Sequence, residues 1–249
     1  MNAPYWLRKS DSEFPPVDLA LREPDGLLAV GGDLSIPRLL NAYAHGIFPW
    51  YSEGQPILWW SPDPRLVLYP ANVTIHRSLA KTLRRNIFNI RFDTAFTKVI
   101  EACAAPRRDA DGTWISTEIQ QAYRRLHDAG YAHSIECWQD DELVGGLYGI
   151  ALGRVFFGES MFSLTANASK VALVYLCAHL AAWGFTIIDC QVATPHLRSL
   201  GAVTIPRQEF INSLAGHVDL TETTAIWRVE ENLQRQLVTS GKLAPLLVD

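Results

Sequence analysis

Three consecutive runs decide the fold class: Val155-Phe-Phe-Gly-Glu-Ser160, then Asn167-Ala-Ser-Lys-Val-Ala-Leu-Val-Tyr-Leu-Cys-Ala-His-Leu-Ala-Ala-Trp183, then Phe185-Thr-Ile-Ile-Asp-Cys-Gln-Val192. The first is a short apolar strand that runs out into a carboxylate. The second is apolar on every side, which predicts a helix buried all round. Val171 to Phe185, the longest apolar stretch, is interrupted by His179 and falls short of the ~20 residues that a membrane span needs. The third is again a strand. A strand, a crossover helix and a second strand predict a mixed α/β sheet.

Upstream, His133 to Trp138 alternates as a strand, Gln139-Asp-Asp141 turns, and Leu143 to Ile150 returns. Ile119, Ala122, Tyr123 and Leu126 fall at helical spacing over Ser116 to His127, and Gly130 stops that helix. Leu66 to Tyr69 and Ile87 to Phe92 predict strands, with Thr74 and Asp93 as caps of the helices that follow. Ser35 and Pro37 open a helix that Gly46 ends. Gly46-Ile-Phe-Pro-Trp-Tyr51 and Leu58-Trp-Trp-Ser-Pro-Asp-Pro-Arg65 predict a rigid loop rather than a regular element. The first twenty residues read as a loosely packed lead-in, and the polar tail after Gly216 carries no signal. A boundary between Asp93 and Gly112 divides the chain into an N-terminal unit, 1–100, and a second unit, 101–249.

The chain has 249 residues, 48% apolar and 19% charged, with a formal net charge of −4, ordinary values for a globular protein. Cys103, Cys137, Cys177 and Cys190 form no CxxC pair, which favours a reducing cytoplasm over disulfides or zinc. The start, MNAPYWLRKS, does not read as a signal peptide. HExxH, GxxxxGK[ST], GxGxxG and GxSxG are all absent, which removes support for metalloprotease, P-loop, dinucleotide-binding and hydrolase readings.

Four constellations could carry chemistry. Between Asp63 and Asp93 there is no acidic residue, while Arg65, Arg77, Lys81, Arg84, Arg85 and Arg91 are present. Arg77, Lys81, Arg84 and Arg85 share one face of the predicted helix. Such a stripe costs helix stability and suits phosphates, though a solvated face reads the same way. Trp50, Tyr51, Trp59, Trp60 and Trp114 could stack on a nucleobase or seal a domain seam. In Ile187 to Val192, alternation turns Asp189 and Gln191 to one side of a strand end, where α/β sheets hold their sites. Cys190 then faces the other way and reads as core. Glu159 ends an apolar strand, so it is either paired or functional.

Taken in order, Gly46–Trp50, Trp59–Arg65, Gly112-Thr-Trp-Ile115, Phe157-Gly-Glu-Ser-Met-Phe162, Asn167–Lys170, Asp189-Cys-Gln191 and Ser199-Leu-Gly201 closely resemble the leucyl/phenylalanyl-tRNA–protein transferases of bacteria. The likeness runs from about Leu21 to Phe210. It implies a small N-terminal α/β domain followed by an acetyltransferase-like (GNAT) domain. It also implies transfer of leucine or phenylalanine from leucyl-tRNA or phenylalanyl-tRNA to proteins beginning with Arg or Lys, marking them for degradation. No metal and no coenzyme are implied, nor any membrane. Matched by motif, Asp189 and Gln191 are the catalytic pair and Glu159 is the acceptor-side carboxylate. Leu147 and Phe156 line the aminoacyl side-chain pocket, and Trp50 and Trp114 flank the terminal adenosine. Some relatives carry Met at the position of Leu147 and Asn at that of Thr194.

The donor is an activated ester, so no covalent nucleophile is needed. Alignment, proton removal from the amine and oxyanion stabilisation suffice. A carboxamide is too weakly basic to hold a proton. Gln191 is therefore expected to orient the amine, while the proton leaves through Asp189, water or a ribose hydroxyl. Asp189→Asn is expected to lower turnover and leave the fold intact. Two rivals compete. An acetyl-CoA-dependent N-acetyltransferase would need a pyrophosphate loop that the sequence lacks. A non-catalytic RNA-binding module leaves Asp189, Gln191 and Glu159 without a purpose. The chain is expected to act as a monomer.

Overall fold

A computed structural model describes residues 3–11, 13–106, 113–220 and 227–243. The first part of the chain builds β1 (Tyr5–Leu7), β2 (Leu27–Gly31), α1 (Ile36–Ala44), β3 (Phe48–Pro49) and β4 (Leu58–Trp60). These strands form a four-stranded sheet in the order β1-β2-β4-β3. The aromatic run is therefore not wholly a loop. Phe48 pairs with Trp60 and Pro49 with Trp59, because the Trp59 ring, fully buried, anchors its Nε1 on Gly31 O at 2.9 Å. The lead-in is not loose throughout either, since Tyr5–Leu7 pairs in parallel with Ala29–Gly31.

The rest builds β5 (Arg65–Leu68), α2 (Arg77–Arg85), β6 (Asn89–Phe92), α3 (Phe96–Ala104), α4 (Thr117–Asp128), β7 (Ala132–Gln139), β8 (Glu142–Leu152), β9 (Val155–Ser163), α5 (Ala168–Ala182), β10 (Ile187–Gln191), α6 (Pro195–Ser199), β11 (Val203–Ile205), α7 (Arg207–Ala215) and α8 (Glu231–Ser240). A seven-stranded mixed sheet runs β11-β5-β10-β9-β8-β7-β6. Its parallel pair, β9 with β10, is the one joined by α5, as the three runs predict. Strands β5 and β6 belong to this sheet, so the division at residues 100/101 cuts through it. The changeover between sheets falls after Trp60, where Ser61-Pro-Asp-Pro64 links β4 to β5.

One core lies between the small sheet with α1, α3 and α4 and one face of the large sheet. It holds Tyr43, Trp59, Tyr123, Tyr148 and Phe157. The other lies on the opposite face under α2, α5 and α8, with Leu147, Phe156, Leu173 and Trp227. Successive residues of one strand, Phe156 and Phe157, thus serve different cores. Helix α5 is buried on nearly every side, and it lies so close to β8 that a Cβ on Gly145 would stand 2.5 Å from that of Ala168. The tail is structured as well: Trp227 stacks on His133 with ring centroids 4.0 Å apart, and α8 packs beside α2.

Two expected caps are replaced. Helix α2 begins at Arg77, beyond Thr74. Asp93 instead accepts from Ser134 N at 2.7 Å and pairs with His133, while buried Glu136 receives Thr94 N and Ala95 N at the start of α3. A carboxylate from a neighbouring strand can satisfy the open N–H groups of a helix as well as a local one. Among the described residues, no helix is long and apolar enough to cross a membrane.

Candidate active site

Strand β10 places the central groups. Its backbone follows the β5 register until a shift between Asp189 and Gln191, and Gln191 itself has φ +60°. A side chain in the left-handed region costs about 1–2 kcal/mol. A local bond offsets part of that cost, since Gln191 N donates to Asp189 Oδ1 at 2.9 Å. The bend brings the Gln191 carboxamide to Glu159, with Nε2 donating to Oε1 at 2.9 Å. Tyr43 Oη lies 2.8 Å from Glu159 Oε1 and Tyr123 Oη 2.9 Å from Glu159 Oε2, and the two tyrosine hydroxyls are in contact with each other. Burial pushes the Glu159 carboxyl up to about 7. Burial, with Glu159 alongside, holds the Tyr43 and Tyr123 hydroxyls well above their usual range, so both remain protonated donors.

Glu159 and Gln191 open onto a cavity of about 580 Å³. Leu147, Phe156, Leu173, Leu176 and Ile188 form its buried apolar wall, and Trp50 stands at its rim, 42% exposed. Trp114, from the segment before α4, also lines it, and Thr194 and His196 border it at the start of α6. A space this large, apolar with a few convergent polar groups, suits a small-molecule-sized moiety. Of the run Gly112–Ile115, Gly112 lies outside the described residues.

Six of the residues singled out from sequence therefore meet on one cavity: Trp50, Trp114, Leu147, Phe156, Glu159 and Gln191. Asp189 does not line it. Fully buried, its carboxylate is gripped by Arg65. Cys190 packs against the core of Leu147 and Phe156 that walls the cavity, and so borders the site beside Gln191, which corrects the expectation that it faces away; burial raises its thiol well above the usual range.

The basic stripe holds at four positions and fails at two. Arg77, Lys81, Arg84 and Arg85 are exposed on α2, with Leu79 and Leu83 packed beneath, and none has an acidic partner among the described residues. Arg84 donates to Ser240 O at 3.4 Å. Asn167, at the head of α5, donates to Thr82 of α2 at 3.1 Å, which ties the stripe to the helix that walls the cavity. Arg65 is instead buried with Asp189, and Arg91 pairs with Asp141 and lies over the Trp138 ring. Sequence reasoning missed Tyr43, Tyr123 and Arg65 as site residues. The last carried a signal, an arginine inside the apolar strand Arg65–Leu68, which demands a buried anion.

Residues 67–215 match the family described as "Leucyl/phenylalanyl-tRNA protein transferase", and residues 32–63 match its N-terminal domain. The chain is 62% identical over 219 residues to the leucyl/phenylalanyl-tRNA–protein transferase of Aromatoleum aromaticum (88% of this chain, 92% of that one). It is 59% identical over 222 residues to the enzyme of the same name from Pseudomonas fluorescens (89% and 98%). Among solved structures it is similar to a GCN5-related N-acetyltransferase from Kribbella flavida, at 13% identity and a TM-score of 0.37, over 66% of this chain and 58% of that one.

Proposed function

The chain belongs to the leucyl/phenylalanyl-tRNA–protein transferase family, and from that membership we propose how its cavity carries out the transfer. The protein is an aminoacyltransferase that moves leucine or phenylalanine from aminoacyl-tRNA to a protein, which displaces both rival readings. The observation that carries the assignment of the site is a single cavity shared by an apolar wall and the Glu159–Gln191 pair.

In this reading the donor's side chain sits against Leu147 and Phe156, where burying a leucine or phenylalanine is worth about 1.5–3 kcal/mol. Trp50 and Trp114 stack on the terminal adenosine, and Arg77, Lys81, Arg84 and Arg85 receive phosphates of the tRNA body. Gln191 orients the incoming amine and donates to the tetrahedral oxygen. Asp189 is a positioning residue that holds the bent Gln191 backbone. Glu159 receives the amino end of an acceptor beginning with Arg or Lys, and the added residue marks that protein for degradation. In this reading the protein acts as a monomer. Free cysteines and tRNA substrates support a cytoplasmic setting.

The test uses purified protein, labelled leucyl-tRNA and peptides beginning with Arg, Lys or Ala, plus an N-acetylated Arg peptide. Label is expected on the free Arg and Lys peptides alone. Equal labelling of the Ala peptide would remove the basic-acceptor reading.

A further inference from the structure

Three oxygen–oxygen contacts close into a ring beside the cavity: Tyr43 Oη to Glu159 Oε1, Tyr123 Oη to Glu159 Oε2, and hydroxyl to hydroxyl. Each hydroxyl carries one proton. Two protons cannot serve three contacts, so with Glu159 ionised one contact sets lone pair against lone pair. A proton on Oε1 completes the set. Glu159 then donates to Tyr43, Tyr43 to Tyr123, and Tyr123 to Oε2. Gln191 Nε2 fits either state, since it donates to Oε1 from the cavity side.

We propose that Glu159 is the catalytic base of the transfer, and that Tyr43 and Tyr123 are positioning residues whose ring closes when the proton arrives. Neither tyrosine is exposed or lines the cavity, so both act through Glu159. Asp189 is a poor candidate for the same task, because its carboxylate does not line the cavity and is ion-paired with the buried Arg65 guanidinium.

The step balances. The acceptor's α-ammonium gives one proton to the Glu159 carboxylate. The freed lone pair on nitrogen forms a bond to the ester carbonyl carbon. When the intermediate breaks down, the carbon–oxygen bond to the ribose cleaves with its electron pair going to oxygen, and a second proton from nitrogen moves to that oxygen. The products are an amide, a ribose hydroxyl and protonated Glu159, which later loses its proton to water.

The groups facing Glu159 are Tyr43 from α1, Tyr123 from α4, Tyr148 from β8, Gln191 and Asp189 from β10, and Arg65 from β5 behind Asp189, with His196 at the cavity border. Burial raises the carboxyl to about 7, and Asp189 adds to the rise. That is close to an α-amine, so proton transfer between them is nearly balanced. Either tyrosine alone, donating to a carboxylate, would stabilise the anion. The contact between them reverses that preference, and this gives the experiment a sign.

Resting on the acceptor reading above, the test has two arms. The first titrates the substrate-free enzyme by difference infrared spectroscopy, following a carboxylic-acid carbonyl band that is absent from Glu159→Gln. The midpoint is expected to fall by about one pH unit in Tyr43→Phe and in Tyr123→Phe, because the ring favours the acid form. The second arm measures kcat/KM for an Arg peptide against pH, which is expected to rise through the same midpoint and to move with it in both variants. A midpoint that rises in the Phe variants, or a rate profile that ignores it, overturns the proposal. If one variant fails to fold, the other breaks the same ring. Retention of this pH dependence with an Ala peptide would remove the basic-acceptor reading and leave the proton path standing.

Discussion

Arg65 holds Asp189 by two parallel bonds, Nε to Oδ1 at 2.8 Å and Nη2 to Oδ2 at 2.7 Å, and neither side chain is exposed. The guanidinium is sandwiched between the rings of Phe48 and Phe210, each centroid 4.8 Å away. Asp189 in turn accepts from Gln191 N. Strand β5 therefore fixes the residue that bends β10 into the cavity.

Asp189→Asn leaves a buried cation half-paired. It is expected to lower stability by about 3–5 kcal/mol, correcting the sequence-based expectation of an intact fold. Urea unfolding measures it. Arg65→Met together with Asp189→Leu should recover much of that loss, since well-packed apolar pairs often replace buried ion pairs. Turnover should stay low in both, because the Gln191 backbone is no longer held. Recovery of turnover in the double variant would separate Asp189 from the placement of Gln191.

Gln191→Ala is expected to cut turnover roughly tenfold to a thousandfold, the range for losing an oriented polar group, with tRNA affinity unchanged. Gln191→Gly should be equally inactive but more stable than the Ala variant by about 1 kcal/mol, as glycine adopts φ +60° without strain. Cys190→Ser should keep most activity. Chemical denaturation beside a single-turnover assay checks all three.

Glu159 also makes stability depend on pH. Its carboxyl is raised in the fold from 4.5 to about 7, so the favourable contribution of the protonated group is fully present below 4.5 and is lost as pH rises through 7. Between those limits wild type should lose on the order of 2–3 kcal/mol relative to Glu159→Gln, after allowance for water in the cavity. Unfolding midpoints of the two proteins at pH 4.5 and pH 8 measure it. A constant difference between them would mean that Glu159 does not titrate in this window.

The basic face predicts a salt signature. Arg77→Ala with Lys81→Ala should flatten the plot of log K against log salt by about 0.7 to 0.9 for each phosphate that is no longer neutralised. All tRNAs should weaken alike, with turnover at saturation kept. An unaltered slope returns the stripe to a solvated helix face.

Periodicity and motif order made the sheet class, the crossover helix and six cavity residues legible in the sequence. Pairings between distant residues were not. Arg65 and Asp189 are separated by 124 positions, and Tyr43 and Glu159 by 116, so no local spacing joins them. The caps failed for the same reason, since Glu136 reaches α3 from β7 rather than from its own turn. Phe48–Pro49 and Leu58–Trp60 are strands too short for alternation to be visible. The tail gave no signal because Trp227 is buried against Phe92, His133 and Trp183, all distant from it in sequence.

If the cavity bounded by Leu147 and Phe156 selects the transferred residue by shape, branching at Cβ decides which amino acids are transferred. A single tRNA body is charged in turn with leucine, isoleucine and valine, and initial rates of transfer to an Arg peptide are compared. Leucine has no branch at Cβ, whereas the branch of isoleucine or valine is expected to meet the apolar wall of the cavity, and one misplaced methyl costs roughly 1–3 kcal/mol. Leucine transfer is expected to be at least about tenfold faster than either, with the gap narrowing in Leu147→Ala. Isoleucine accepted as readily as leucine would contradict it and place selection in the tRNA instead.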